Sequence, residues 1–346
     1  MAGTTETETA AFERVGILGG GAWGTALAQS ARRAGRRVAL WAYEAETVAE
    51  INAQHTNSLY LPGVALDPAI EATAKAQDLA AADLLLLVAP SQFVRAVARE
   101  IAPHVAAGKP VVICAKGFEE ATGEFMSAAV KEALPQASVA ALSGPSFAGE
   151  VARDLPTALT LACEEKALGV KLMAALAHRN LRLYWTSDIL GTQAGGAVKN
   201  VLAIATGIVE GRQLGRNAHA ALATRGFAEL VRLGTKLGGR FETLTGLSGL
   251  GDMILTCSST QSRNMSLGVA LGQGQALADV LGARKSVTEG VHTAGAVVAL
   301  AKKHGVEMPI CEAVHTIVKG HASVEDAIDA LLTRPLRPES DAFHFA

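Results

Sequence analysis

Arg14-Val-Gly-Ile-Leu18 runs straight into Gly19-Gly-Gly21-Ala-Trp-Gly24, and this junction decides the fold. The first five residues form a short apolar run of strand length, and Gly24–Ala34 reads as a helix closed by Gly35. Between them Gly19, Gly21 and Gly24 stand in the G-x-G-x-x-G pattern. The first glycine permits a tight turn, the second lets backbone approach a pyrophosphate, and the third lets helix and strand pack closely. The phosphates would rest on the amides of the helix N-terminus. A chain with 35 glycines produces this pattern by chance, so its weight comes from sitting between a strand and a helix.

Working outward, Arg37–Trp41, Leu84–Val88, Val111–Ala115 and Val139–Leu142 read as further strands, with a helix over Ala45–Gln54. Runs that are apolar throughout, with helices between them, describe a parallel sheet covered on both faces. That is a doubly wound α/β domain. From about residue 190 the strand signals give way to helical periodicity, as in Ala294–His304 before Gly305 and Glu312–Lys319 before Gly320. The expected organisation is a flexible tail over 1–13, a nucleotide-binding α/β domain over 14–190, and an all-helical substrate-binding domain over 191–346.

Composition narrows the function. At 346 residues the chain exceeds what one core usually organises, and 49% hydrophobic with 18% charged residues is a globular composition. A net charge of −2 with no basic run argues against nucleic acid. Cys114, Cys163, Cys257 and Cys311 form no metal-spaced pair, so no metal is expected and the thiols fit a reduced, cytoplasmic setting. Ile189–Val209, the most apolar long stretch, carries Thr, Gln, Lys and Asn in its middle and is not expected to span a membrane. The N-terminus has no basic or apolar segment of a signal peptide.

Within that stretch Lys199 is the one charged residue between Asp188 and Glu210. In a buried helix its pKa falls, which makes it a proton donor and acceptor near neutrality; otherwise it snorkels to the surface past small neighbours. Gly195, Lys199, Ala203 and Gly207 recur every four residues, a face stripped of bulk as if something approaches the lysine. Asn200 beside it could orient a carbonyl. Lys116 ends a strand at the edge where open sheets bind ligands, or is a solvated cap there. Ser143-Gly144-Pro-Ser146 offers a hydroxyl and free amides. Ser262-Arg263-Asn264 suits a phosphate, and Gly249-Leu-Gly-Asp252 is a glycine-rich turn. Taken singly, Asp252 reads as an N-cap and Arg263 as a surface ion pair. Together they suggest a pocket for a small phosphorylated ketone or alcohol. For the coenzyme, Glu44 lies 20 residues past Gly24 where an acid takes ribose hydroxyls, while Arg32, Arg33, Arg36 and Arg37 form a cluster that either holds a 2′-phosphate or caps a helix.

These blocks, with Tyr60-Leu-Pro-Gly63, Ala115-Lys-Gly117, Gly195-Gly-Ala-Val-Lys-Asn200, Leu255-Thr-Cys257, Glu289-Gly290 and Met308-Pro-Ile310, resemble the bacterial NAD(P)-dependent glycerol-3-phosphate dehydrogenases over nearly the whole chain. The resemblance implies a Rossmann-type domain followed by an all-α domain like the C-terminal part of 6-phosphogluconate dehydrogenase. It implies reduction of dihydroxyacetone phosphate to sn-glycerol 3-phosphate with NADPH or NADH, feeding phospholipid synthesis in a cytoplasmic homodimer. Lys199 then falls on the proton-transferring position, with Lys116, Asp252 and Asn200 beside it. Lys116, Gly144, Ser146, Lys199, Asp252, Ser262, Arg263 and Asn264 fall on substrate-contacting positions. Gly19, Gly21, Ala22, Trp23, Gly24, Tyr43, Lys116, Ala148, Arg263, Val287 and Glu289 fall on cofactor-contacting ones. Ala22 stands where Ser or Asn is frequent and Thr288 where Val is usual. The rivals are a 6-phosphogluconate or β-hydroxyacid type of dehydrogenase and a catalytically idle nicotinamide sensor.

Overall fold

The computed structural model of the protein describes residues 12–284 and 287–339. Of the expected tail, residues 1–11 lie outside that range. Phe12 packs on the sheet core and the Glu13 amide donates to Asp83, so these two belong to the domain.

One sheet carries eight strands: β1 (Arg14–Leu18), β2 (Arg37–Trp41), β3 (Ile70–Thr73), β4 (Leu84–Leu87), β5 (Pro110–Ile113), β6 (Ser138–Ser143), β7 (Thr157–Cys163) and β8 (Leu181–Thr186). Their order is β3-β2-β1-β4-β5-β6-β7-β8. Helices α1 (Ala22–Arg33), α2 (Ala45–Gln54), α3 (Val94–Ile101), α4 (Met126–Ala133), α5 (Ala148–Ala152) and α6 (Lys166–Leu176) lie between them. The central strands are buried on both faces. Val15, Ile17, Leu84 and Leu86 face one side, and Leu18, Leu85 and Leu87 the other. The chain leaves β1 in one direction through β2 and β3 and returns to its other side at β4, which makes the β1–β4 crevice the switch point where ligands of such sheets bind.

The sheet departs from the expected all-parallel form at one place. β7 runs antiparallel to β6, while β8 pairs parallel with β7. The cause is α5, whose 5 residues span only about 7 Å, too short to carry the chain back along a strand. β3, β7 and β8 escape a reading by apolar runs because Ile70-Glu-Ala-Thr73 and Leu181-Arg-Leu-Tyr-Trp-Thr186 are edge strands with polar residues, and β7 is rich in Thr and Ala. Helix α1 begins at Ala22, two residues before Gly24, and Gly35 ends it with φ +81° as its sequence position suggests.

After β8 the described chain is helical: α7 (Ile189–Gly211), α8 (Gly215–Lys236), α9 (Phe241–Leu244), α10 (Asp252–Cys257), α11 (Arg263–Gly272), α12 (Leu277–Gly282), α13 (Glu289–His304), α14 (Pro309–Val318) and α15 (Val324–Leu332). Asp188 starts α7 by accepting from the Gly191 amide at 2.8 Å, and every residue from Gly191 to Val209 is buried. Among the described residues no helix is long and apolar enough to cross a membrane. All four cysteines are buried free thiols.

The stripped face of α7 turns out to serve its neighbours. A Cβ on Gly207 would lie 2.2 Å from the Met265 carbonyl, and one on Gly268 would lie 2.1 Å from the Ile204 carbonyl. Gly211 and Gly272 repeat the contact one turn on, so α7 and α11 cross with backbone against backbone. At the other end a Cβ on Gly195 would meet the Ser248 carbonyl at 2.5 Å. That close approach presses the wide turn Leu247–Gly251 onto α7 and delivers Asp252 to the helix.

Candidate active site

Lys199 sits on the most buried helix with 6% of its surface exposed. Its Nζ donates to Asp252 Oδ1 at 2.6 Å and to Thr256 Oγ1 at 2.8 Å. It does not snorkel. Burial pushes its pKa down to about 8, helped by the charge of Lys116 and resisted by Asp252. Lys116, in the loop after β5, donates to the other oxygen of Asp252 at 2.7 Å and to the Gly144 carbonyl at 3.0 Å. One buried carboxylate thus bridges two ammonium groups from different domains. Asp252 is the first residue of α10 rather than its cap, and its carboxylate is taken up by the lysines.

Asn200 ties the same elements together through its amide. Its Nδ2 donates to the Lys116 carbonyl at 3.1 Å, and its Oδ1 accepts from Asn264 Nδ2 at 2.9 Å. Asn264 Oδ1 in turn accepts from the Gly290 amide at 3.0 Å. Among the described residues the second N–H of Asn264 Nδ2 has no hydrogen-bond partner. Ser262 caps α11 through the Met265 amide at 3.2 Å. Arg263 begins that helix exposed, and among the described residues its guanidinium has no ion-pair partner. Gly144 adopts φ +143°, and Ser146 Oγ donates to its carbonyl at 3.0 Å.

The glycine junction meets the demands of a dinucleotide. Gly19 has φ +135° and lies against the end of β4, where a Cβ would reach the Val88 carbonyl carbon at 2.9 Å. A Cβ on Gly24 would strike the Gly19 carbonyl oxygen at 1.8 Å, so only glycine lets α1 sit this close to β1. Gly21 has open space around it, and α1 starts with neither a side-chain cap nor an acidic residue in its first turn. Its first amides are left for an anion.

Profiles described as the N-terminus and C-terminus of NAD-dependent glycerol-3-phosphate dehydrogenase match residues 14–169 and 188–329. The chain belongs to this dehydrogenase family. It is 58% identical to a glycerol-3-phosphate dehydrogenase [NAD(P)+] of Parvibaculum lavamentivorans over 96% of this chain and 100% of the relative. It is 59% identical to one of Caulobacter vibrioides, over 95% and 99%. The crystal structure of the Coxiella burnetii glycerol-3-phosphate dehydrogenase superposes with a TM-score of 0.89 at 39% identity, covering 93% of this chain and 99% of that one.

The remaining expected residues are placed as follows. Glu289 opens α13 half-buried, and its carboxylate accepts from the Ser91 amide at 3.2 Å. Burial pushes its pKa up, while that amide and the charges of Arg263, Lys116 and Lys199 pull it down. Val287 is partly exposed just before it, Ala148 opens α5, and Tyr43 stands 83% exposed past β2. Ala22 begins α1, and Trp23 packs on the sheet core with its Nε1 buried and unpartnered. The arginine cluster lies elsewhere. Arg32 pairs with Asp67, Arg33 bonds the Val151 and Ala152 carbonyls, Arg36 bonds that of Phe12, and Arg37 pairs with Glu13. They occupy the end of α1 and the start of β2, the sheet edge opposite the glycine loop, so the 2′-phosphate reading of these four falls away.

Two groups escaped the sequence reading. Thr256 follows Asp252 by one helical turn, a spacing that was open to inspection. Ser91 lies in the loop after β4, at the ligand-binding edge. Among the described residues no group of three or more His, Cys, Asp or Glu is placed to hold a metal. Ser30 Oγ, His178 and Asp154 do line up, at 3.0 Å and 3.7 Å, but Ser30 is 1% exposed and sealed between helices, so this is a packing tie and no nucleophile.

Proposed function

We propose that the chain reduces dihydroxyacetone phosphate to sn-glycerol 3-phosphate, reversibly, with NADH or NADPH, and that Lys199 moves the proton. The observation that carries this is the buried Lys199–Asp252–Lys116 bridge beside a glycine loop built for a dinucleotide. The bound nicotinamide supplies the hydride. Lys199, an ammonium below about pH 8, gives its proton to the substrate oxygen as the carbonyl becomes an alcohol, and regains it from water. In the reverse direction the free amine takes that proton. Asp252 and Thr256 hold Nζ in place, and Lys116, bound to the same Asp252 carboxylate, polarises the same oxygen in this reading. Arg263, with the free N–H of Asn264 and the loop at Gly144 and Ser146, forms the phosphate seat. Glu289, Val287, Ala148 and Tyr43 line the coenzyme.

The product's use as a phospholipid backbone, a cytoplasmic location and a homodimeric state rest on family resemblance. Light scattering on the purified protein tests the last. The test of the activity is loss of nicotinamide absorbance with dihydroxyacetone phosphate. It should occur in wild type and fall by at least about 10³-fold in Lys199→Ala, with coenzyme affinity retained. Near-normal turnover in that variant removes the role. Coenzyme binding with no turnover on any phosphorylated ketone would favour the idle sensor, which needs no such lysine pair.

A further inference from the structure

The rim beyond β2 is where the adenosine ribose of a dinucleotide lies in a doubly wound sheet. Here the glycine loop leans on that rim, since a Cβ on Gly20 would meet Ala42 Cβ at 2.4 Å. The next residues are Tyr43 and Glu44. Glu44 is half-buried, and one of its carboxylate oxygens accepts from the Tyr60 hydroxyl at 2.7 Å. The segment that supplies Tyr60 is itself braced to the loop. The Tyr60 amide donates to Asn57 Oδ1 at 3.2 Å, and buried Asn57 donates to the Gly20 carbonyl at 2.9 Å and to Thr25 Oγ1 at 2.8 Å. The carboxylate is thereby fixed relative to the loop that would carry the pyrophosphate, with its second oxygen left over.

We propose that this braced Glu44 selects the unmodified adenosine ribose, so that NADH is the preferred coenzyme. The other oxygen accepts a ribose hydroxyl, and a 2′-phosphate brought to the same place meets like charge beside a carboxylate held by the Tyr60 hydroxyl. The four arginines that might have balanced that phosphate are bound at the other end of β2. A cation stands near the rim: exposed Lys75, two residues past the end of β3 at Thr73, whose carbonyl accepts from the Ala42 amide at 3.0 Å. It is the competitor that an experiment has to exclude. The inference rests on the dehydrogenase reading of the site but concerns coenzyme binding alone.

Dissociation constants for NADH and NADPH, measured by nucleotide fluorescence without substrate, test it. Wild type should bind NADPH at least about tenfold more weakly than NADH. Glu44→Gln should shrink that ratio to about threefold or less, chiefly by tightening NADPH. Tyr60→Phe, which releases the carboxylate and keeps its charge, should shrink it less and weaken NADH. Circular dichroism confirms that the variants fold. Equal or tighter NADPH binding in wild type overturns the proposal, as does an unchanged ratio in Glu44→Gln. NADPH binding that collapses in Lys75→Ala would hand selection to that lysine. Dihydroxyacetone phosphate turnover is assayed separately: its absence beside an intact NADH preference removes the proposed reaction and leaves the selection standing.

Discussion

Replacing Asp252 with Asn keeps the shape of the carboxylate and removes the charge that both lysines share. In wild type that charge holds Lys199 up against burial, leaving its pKa at about 8. Opposite charges about 4 Å apart interact by about 4 kcal/mol at an effective dielectric near 20, equivalent to about 3 pH units. Sharing the carboxylate with Lys116 reduces the part felt by Lys199 to about 1–2 units on the same scale. In Asp252→Asn the ammonium form of Lys199 then falls to between about a half and a tenth of the population at pH 7, and reduction should slow by about twofold to tenfold. The loss should shrink as the pH is lowered toward 6, because the midpoint of the rate profile moves down with the pKa. Removing one partner of a buried pair also costs stability, about 3–5 kcal/mol, so thermal melts must accompany the kinetics. The decisive assay is kcat for dihydroxyacetone phosphate reduction from pH 5.5 to 9 in both proteins. A variant that is slower by the same factor at every pH, with an unmoved midpoint, would refute the electrostatic role and leave Asp252 a merely structural brace.

In wild type, reduction should decline as pH rises through about 8, where Lys199 loses its proton, and oxidation of glycerol 3-phosphate should rise through the same midpoint; coincident optima for both directions would count against Lys199. Gly268→Ala forces a Cβ to 2.1 Å from the Ile204 carbonyl and should cost roughly 1–3 kcal/mol in denaturant melts, whereas Gly282→Ala, with nothing within 4 Å, should be neutral or mildly stabilising. Buried Glu229 accepts from the Ile310 and Cys311 amides at the start of α14, and burial pushes its pKa up from 4.5 to about 7. The folded protein therefore holds that proton where the unfolded chain releases it, and stability falls as pH rises from about 4.5 to 7. Glu229→Gln should remove that slope, on the order of 2–3 kcal/mol, from urea melts across the window.

Much of this was legible in the chain. The glycine junction announced the strand, the helix and their close contact because backbone crowding leaves no alternative residue at Gly19 and Gly24. Lys199 stood out because a lone charge in an apolar helix has to be answered by a partner, although the helix itself does not say which one. That Asp252 answers it, and Lys116 with it, depends on a turn 53 residues away folding back through Gly249 and Gly195. No local pattern encodes that contact. The four-residue stripe was visible too, but a surface of small side chains reads the same whether a ligand or another helix covers it. β3 and β8 were hidden because edge strands need only one apolar face, β7 because it is rich in Thr and Ala, and the direction of β7 follows from a shortfall in connector length rather than from its own residues. The two readings of the arginine cluster stayed open in the sequence for want of polarity: a sequence gives nearness to a strand and does not give the end, and the structure puts Arg32 and Arg33 in the last turn of α1.

The glycine crossing of α7 and α11 has a kinematic consequence. Backbones in contact at two successive turns cannot slide or roll past one another without collision. The helix that carries Lys199 and the helix that Ser262 caps and Arg263 and Asn264 begin therefore travel as one piece, which keeps the proposed proton donor and phosphate seat at a constant span. Any tightening around a substrate has to be taken up elsewhere, at the joints with the sheet domain: Ser187 and Asp188 ahead of α7, and the Lys116 to Asp252 contact that crosses the gap. On the proposed reading the molecule is a caliper whose outer jaw is cast in a single block, set to the separation of carbonyl and phosphate in a three-carbon chain.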